Sequence, residues 1–329
     1  MSPSITDVPG VLVGHAHDAE ALTGCTVVLT PDGAVGGVDV RGGAPGTRET
    51  DLLDPTANVS VVHAVALCGG SAFGLAAATG VVQWLAERNI GYPTRVRNVP
   101  IVPAAVIFDL AIGRPDRFAD ADLGYAACDA SGAGTAEGCV GVGIGATVGK
   151  IRGMPYAMKA GIGSWSERLA DGSVVGALVV CNAFGDVYDE QSGRILAGVR
   201  SDEGALASTM ALLRTPEQLH IPAGPSGEQH TTLAVIATDA RLTKAEATKV
   251  AQMAQDALAR TIRPIHTPFD GDTAFTLATG QRPAPSLVAL GAIAADVLAR
   301  AIERSVMSAW SLVGIPAARD LAVRPASPT

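Results

Sequence analysis

Apolar runs of strand length alternate along the chain with amphipathic segments of helical spacing. Segments 71–88, 244–262 and 286–307 are predicted helices, and the second follows Thr243 and Glu246, which have capping-box spacing. The predicted strands are 25–30, 34–40, 59–67, 139–147, 174–183 and 231–238. Several of them are apolar on both faces, so helices must cover the sheets. The pattern predicts a layered α/β architecture.

The composition narrows the class of protein. With 329 residues, 48% of them hydrophobic, the chain can bury a large core. The formal net charge is -8 and the charges are scattered, which argues against nucleic-acid and membrane partners and favours a small molecule. Five cysteines without a CxxC pair indicate buried thiols. Because signal-peptide and membrane-span patterns are also absent from the sequence, we expect a soluble cytoplasmic protein.

Three motifs suggest a bound ligand but lack the surrounding pattern. "GVGIGA" at 141–146 fits GxGxxA, yet its glycines lie inside a strand-like run rather than at a strand-to-helix turn. "GATVGKI" fails as a phosphate loop because Ile144 and Ile151 occupy positions that need glycine and serine or threonine. "DGDT" at 270–273 lacks EF-hand spacing, and His266 beside it is expected to be an ordinary hydrogen-bonded histidine. We therefore predict no cofactor and no metal.

Polar residues stand at several positions where polar side chains are costly. Lys150 is one of four lysines and follows the glycine-rich run. Asn182 ends a strand that otherwise has the composition of a core. Asp270 and Asp272 are an i, i+2 pair, so in extended backbone both carboxylates point to one side. Each residue alone has an ordinary structural interpretation, but together they indicate a site.

A turn-rich segment, 213–230, ends at two threonines. The segment is either a domain boundary or a surface loop where the chain is cut. Thr231 and Thr232 are either β-branched residues that suit the edge of a strand, or one of them is a nucleophile. The residues alone leave both interpretations open.

Five segments in register, spanning about residues 4 to 315, resemble the DmpA-type family of L-aminopeptidase/D-esterases, β-aminopeptidases and nylon-oligomer hydrolases. They are "DVRGGAPGTRETDLLDP" (39–55), "CGGSAFGLAAATGV" (68–81), "VPAAVIFDL" (102–110), "HTTLAVIATDARLT" (230–243) and "ARTIRPIHTPFDGDTAFTLATG" (259–280). The resemblance implies one domain over 1–329, with a four-layer αββα sandwich of the DmpA/ornithine-acetyltransferase type. It also implies a homotetrameric hydrolase of small peptides, amides or esters.

Members of this family are made as inactive chains that cut themselves before a serine or threonine, which becomes the N-terminal nucleophile. The "NTT" of the nylon-hydrolase branch matches "HTT" here, so the resemblance implies autocleavage between His230 and Thr231. The products would be an α fragment, 1–230, and a β fragment, 231–329. Strand alternation turns Thr232 to the opposite face. Relatives have glycine or asparagine in place of His230, so we expect slower cleavage.

The resemblance also assigns the remaining site residues. Asp270 and Asp272 match the acidic pair that orients the nucleophile. Lys150 matches a lysine that favours the neutral amine or stabilises negative charge, and Asn182 matches an amide that donates to the oxyanion. The turn implied to supply backbone donors or pocket wall contains Gly69, Gly70, Ser71 and Phe73. Phe73 stands where some relatives have tyrosine, and the lost hydroxyl argues against nylon-oligomer activity.

Three other functions are compatible with the sequence. An acyltransferase of the ornithine acetyltransferase type shares the architecture and predicts acetyl transfer to glutamate. An unprocessed binding protein of the same fold is suggested by His230, and the number of polypeptides on a denaturing gel separates it from the self-processing enzymes. A nucleotide-binding protein has the least support, because the glycine motifs are broken.

Overall fold

A computed structural model of the protein describes residues 2–215 and 230–321, so positions 216–229 of the predicted cut segment lie outside the described residues. The helices are α1 (Ala77–Glu87), α2 (Ala121–Asp129), α3 (Thr209–Leu213), α4 (Lys244–Thr261), α5 (Leu287–Met307) and α6 (Ala318–Leu321). The strands are β1 (Leu12–Asp18), β2 (Thr23–Val40), β3 (Thr47–Arg48), β4 (Val61–Cys68), β5 (Tyr92–Pro93), β6 (Asn98–Val99), β7 (Ala104–Val106), β8 (Thr147–Val148), β9 (Met158–Lys159), β10 (Ile162–Arg168), β11 (Val174–Asn182), β12 (Asp186–Tyr188), β13 (Ile195–Ala197), β14 (Thr231–Ala240), β15 (Ile262–Arg263) and β16 (Thr273–Arg282).

In the part of the chain that the structure describes, nine strands form one mixed sheet in the order β10-β11-β14-β16-β2-β4-β7-β3, with β1 also paired to β2. Strands β14 and β16 are parallel, whereas β14 pairs with β11, and β16 with β2, in the antiparallel sense. The long strand β2 joins the two halves of the sheet, since its first part pairs with β1 and β4 and its last part with β16. Strand β14 therefore lies inside the sheet, with a neighbour on each side.

Two pairs of helices among the described residues cover this sheet. Helices α4 and α5 pack on each other and on β2, β10, β11 and β16, while α1 and α2 pack on each other and on β1, β2 and β4. Along β4, Val65 and Leu67 face the large core that includes Val179, whereas Ala64 and Ala66 face the core beneath α1. The alternation follows from the two-residue period of a strand. The predicted α/β fold, with its sheet flanked by helices, is confirmed.

The three predicted helices are present. Helix α4 begins at the predicted capping box, in which the Glu246 carboxylate accepts from the Thr243 N–H at 2.8 Å and the Thr243 hydroxyl accepts from the Glu246 N–H at 3.3 Å. Helix α5 follows Ser286, and a 3-10 helix over Ser71–Ala76 leads into α1. Among the helices in the described part of the chain, none is long and apolar enough to cross a membrane.

The predicted strand over 139–147 is wrong. A 3-10 helix spans Gly141–Gly145, and only Thr147–Val148 forms a strand. Gly141 has a φ of 52°, and a Cβ there would lie 2.2 Å from the Thr26 hydroxyl oxygen. The glycines permit a tight turn against β2 that side chains would prevent. The sequence pattern also missed β1, β10, β16 and α2.

Candidate active site

The parallel pairing of β14 and β16 brings the threonine and the acidic pair together. Thr231 begins β14, and Asp270 and Asp272 directly precede β16. The start of each parallel strand lies at the same end of the sheet, and His230 pairs with Asp270 in a parallel bridge. On the other side of β14, Asn182 at the end of β11 is the register partner of Thr231. Three adjacent strands thus bring the predicted residues to one place.

The Thr231 hydroxyl lies against the peptide bond that precedes it. Its Oγ1 donates to the His230 carbonyl oxygen at 2.5 Å, and the Gly271 N–H donates to the same oxygen at 2.8 Å. Thr231 is 4% exposed. A Cβ at residue 271 would lie 2.8 Å from Thr231 Oγ1 and 3.0 Å from the Ala44 carbonyl oxygen, so the hydroxyl needs a glycine at 271.

The two aspartates are fully buried and differ in their hydrogen bonds. Asp272 Oδ1 accepts from the Thr232 N–H at 2.7 Å, and its Oδ2 accepts from the His266 N–H at 3.1 Å and lies 2.9 Å from His266 Nδ1. Asp270 Oδ2 accepts from the Thr267 N–H at 2.6 Å, whereas its Oδ1 has no hydrogen-bond partner among the residues that the structure describes. Burial, followed by the charge of Asp272, raises the pKa of Asp270 to about 7. Asp270 can therefore exchange a proton near neutral pH.

Lys150 and Asn182 form one buried hydrogen-bonded unit. Lys150 Nζ donates to Asn182 Oδ1 at 2.7 Å and to the Asn182 carbonyl oxygen at 3.0 Å. The Thr147 N–H donates to Asn182 Oδ1 at 3.1 Å, and Asn182 Nδ2 donates to the Phe108 carbonyl oxygen at 3.0 Å. These contacts fix the orientation of the amide and leave one Nδ2 hydrogen for another acceptor.

His230 is neutral in this environment. The residue is 4% exposed, and its ring centroid lies 5.2 Å from that of Phe184. Burial, followed by the positive charge of Lys150, lowers the pKa of His230 to about 2. The imidazole thus behaves as an aromatic ring with polar nitrogen atoms rather than as a cation.

A pocket opens beside these residues. It is lined by Phe108, Asp109, Ile112, Lys150, Met154 and His230, among others. The predicted turn over 69–73 reaches the pocket wall indirectly, since the Gly70 N–H donates to Asp109 Oδ1 at 2.6 Å. Phe73 is not among the lining residues; it is 64% exposed and stacks on Phe118 at 5.5 Å. Gly69 and Ser71 lie in the same turn as Gly70, with Ser71 at a φ of 53°.

Several residues of this region were not predicted from the sequence. Phe108 and Asp109 lie in "VPAAVIFDL", where an acidic residue after an apolar run is a usable signal. Burial raises the pKa of Asp109 to about 6. Lys159 is fully buried, and its Nζ donates to the carbonyl oxygens of Ile144 and Ala146 at 2.8 and 2.7 Å. No local pattern marked Lys159.

Known proteins that resemble this chain indicate its family. The model of peptidase family S58 matches residues 3–319. An uncharacterized aminopeptidase of Mycobacterium tuberculosis is 46% identical over 342 residues, covering 97% of this chain and 97% of that protein. A 6-aminohexanoate-oligomer endohydrolase of Kocuria sp. is 32% identical over 307 residues, covering 89% of this chain and 82% of that protein. The L-aminopeptidase D-Ala-esterase/amidase of Ochrobactrum anthropi, described as a variant of the Ntn-hydrolase fold, has a TM-score of 0.69 at 20% identity, over 94% of this chain and 87% of that one.

A mixed sheet flanked by helices, together with these relatives, defines a hydrolase of peptide bonds. The chain belongs to peptidase family S58, whose model covers nearly its whole length.

Proposed function

We propose that the protein is a self-processing hydrolase in which Thr231 first cleaves its own chain and then acts as the N-terminal nucleophile on small peptides, amides or esters. The observation that supports this most directly is the contact of the Thr231 hydroxyl and the Gly271 N–H with one carbonyl oxygen, that of His230. A nucleophile and an oxyanion donor thus lie at the same peptide bond.

Self-cleavage begins when Thr231 Oγ1 attacks the His230 carbonyl carbon. The negative charge on the oxygen is stabilised by the Gly271 N–H, and the C–N bond breaks as the hydroxyl proton passes to the Thr231 nitrogen. Asp270, adjacent to Gly271 and with a pKa of about 7, is suited to carry that proton. Water then hydrolyses the resulting ester: its oxygen becomes part of the His230 carboxylate, one of its hydrogens restores the Thr231 hydroxyl, and the other is released as a proton.

The free α-amine of Thr231 serves as the base in later turnovers. Its ordinary pKa of about 7.7–8.0 suits removal of the hydroxyl proton near neutral pH. The Gly271 N–H and the remaining Nδ2 hydrogen of Asn182 donate to the substrate oxyanion, and Lys150 stabilises negative charge beside it. Asp272 holds the start of β14 through the Thr232 N–H. The acyl-enzyme ester is released by water.

The relatives support amide substrates in general terms. One is named an aminopeptidase and another a 6-aminohexanoate-oligomer endohydrolase, and both names describe cleavage of amide bonds. Within the proposal, the protein is a cytoplasmic homotetramer. The high apolar fraction, with only 17% charged residues, supports assembly of several copies.

The test is the covalent state of the purified protein. Wild type should contain fragments 1–230 and 231–329, and Edman sequencing of the smaller one should read TTLAV. Thr231→Ala should remain one inactive chain, and Thr231→Ser should still cleave. Thr232→Ala is the matched control: its side chain lies on the opposite face of β14, so processing should be nearly normal. An intact wild-type chain with full amidase activity would refute the mechanism.

A panel of acyl acceptors separates hydrolysis from acyl transfer. With an aminoacyl amide as donor, hydrolysis releases the free amino acid whether or not glutamate is added. Transfer of an acetyl group to glutamate would favour the acetyltransferase alternative. A single intact chain without amide hydrolysis would favour the binding protein.

A further inference from the structure

Before cleavage, His230 occupies the place of a substrate residue. The Thr231 hydroxyl and the Gly271 N–H contact its carbonyl oxygen. On the proposed function, the same hydroxyl must later reach the carbonyl of each substrate, and a productive attack requires similar geometry. The residue whose carbonyl is attacked should therefore lie where His230 lies in the uncut chain.

Two main-chain hydrogen bonds fix this residue. The His230 N–H donates to the Phe269 carbonyl oxygen at 3.1 Å, and the His230 carbonyl oxygen accepts from the Gly271 N–H at 2.8 Å. An α-aminoacyl group carries its nitrogen and its carbonyl at the same separation, so it can make both bonds. A β-aminoacyl group has one more carbon atom between them and cannot reproduce this spacing without distortion.

The surroundings of the ring determine which side chains fit. His230 is 4% exposed and packs against the Phe184 ring. The adjoining pocket presents the apolar side chains of Phe108, Ile112 and Met154 beside the polar ones of Asp109, Thr147 and Lys150. Removal of the imidazole would therefore join its volume to a space that is apolar on one side. Lys150 and Asp109 both line that pocket. Of the two, it is the positive charge of Lys150 that acts on the His230 ring and lowers its pKa, so a second positive charge at the position of the ring is disfavoured.

We propose that the space occupied by the His230 side chain in the uncut chain becomes the acyl-side subsite of the mature enzyme, and that it selects α-aminoacyl amides with a neutral ring or large apolar side chain. The inference rests on the proposed function and adds to it the chemical class of the acyl residue. It also connects two reactions, because the residue types that favour self-cleavage at position 230 should be those preferred in substrates.

Substrate preference is measured on the wild-type enzyme with the p-nitroanilides of L-phenylalanine, L-histidine, L-alanine, L-lysine and β-homophenylalanine. We expect kcat/KM for the phenylalanine compound to exceed that for the lysine compound by at least about tenfold, because a buried second cation is disfavoured. The β-homologue should be slower than the phenylalanine compound. Equal or better hydrolysis of the lysine compound would overturn the inference.

Self-cleavage is measured on His230→Phe and His230→Lys. The first should cut at least as fast as wild type and the second at least about tenfold more slowly, with circular dichroism showing that both are folded. If His230→Lys is unfolded, the substrate panel still decides the question. Folded His230→Lys that cuts as fast as His230→Phe would contradict the proposed link.

Phe184→Leu tests the wall of the subsite. The ratio of kcat/KM between the phenylalanine and alanine compounds should fall in this variant. Phe73→Leu is the matched comparison, since Phe73 is exposed and its ring stacks on Phe118 rather than on His230. A ratio that changes in Phe73→Leu but not in Phe184→Leu would place the subsite elsewhere. If wild type neither cuts itself nor hydrolyses any amide, the proposed function fails; a cut, active enzyme without these preferences refutes only the subsite.

Discussion

Replacing Asp270 with asparagine should change the stability of the fold and the activity of the enzyme in ways that can be measured separately. The carboxyl is fully buried, has one oxygen bonded to the Thr267 N–H, and has a pKa of about 7 in place of the ordinary 3.8. A carboxyl with a raised pKa stabilises the folded chain while it is protonated, and this contribution is lost as pH rises through about 7. Wild type should therefore lose stability through this group as pH rises from the ordinary pKa of 3.8 to about 7.

The size of the effect follows from the two pKa values. Between pH 5 and pH 8 the group should cost wild type about 2–3 kcal/mol in the free energy of unfolding. Asparagine cannot ionise, so the variant avoids this loss. Its buried amide hydrogens lack an acceptor, at a cost of about 1–3 kcal/mol that is the same at both pH values. The difference in ΔΔG between the two pH values therefore measures the ionisation of the Asp270 carboxyl alone.

The assay is urea unfolding at pH 5 and pH 8 in a Thr231→Ala background, which keeps every protein a single chain. Asp256→Asn, at an exposed position of α4, is the control for removal of one negative charge. A ΔΔG for Asp270→Asn that is equal at the two pH values would refute the reasoning. With Thr231 present, Asp270→Asn should lose most processing and turnover, read by gel and by amide hydrolysis.

Three further predictions test the surroundings of the site and the assembly. Asp272→Asn should lower kcat by about 100-fold or more. It should also lower the free energy of unfolding by about 1–3 kcal/mol, because an amide cannot accept every N–H now bonded to the carboxylate. Unchanged turnover would remove Asp272 from the mechanism. His266→Asn keeps a donor near the position of Nδ1 and tolerates the φ of 56°, so this variant should retain most turnover, whereas His266→Leu should lose it. Equal kcat values in the two variants would show that the hydrogen bond from His266 to Asp272 does not contribute to turnover. Light scattering should give four copies of the 33.3 kDa chain, and a monomer at micromolar concentration would contradict the tetramer.

Local signals predicted the fold where they were strong. Helix α4 follows from its apolar stripe and capping box, and the five cysteines are buried and free, as their apolar contexts indicated. The run over 139–147 was misassigned because glycine carries no information on whether a backbone extends or turns. Strand β16 was not predicted, although only its first residue, Thr273, lies in the turn-like "DGDT" segment.

The sequence indicated which residues belong to the site but not how those residues contact one another. Thr231 and the aspartates were assigned through a family resemblance, and their roles remain predictions. The pairing of Asn182 with Thr231 could not be predicted, because the two residues are far apart in sequence and the register between their strands is set by the whole sheet. His266 and Asp272 are close in sequence, but their bond depends on the turn between them and on the φ of 56° at His266, which the residue pattern does not specify.

The interior position of β14 determines how each molecule behaves after the proposed cut. Strands β11 and β16 hold it on both sides, so the proposed cut leaves the new chain end bound by its neighbours. After cutting, however, reassembly from the denatured state requires two polypeptides to meet, and its rate depends on concentration. The processed enzyme would then persist because it unfolds slowly, rather than because it refolds reversibly.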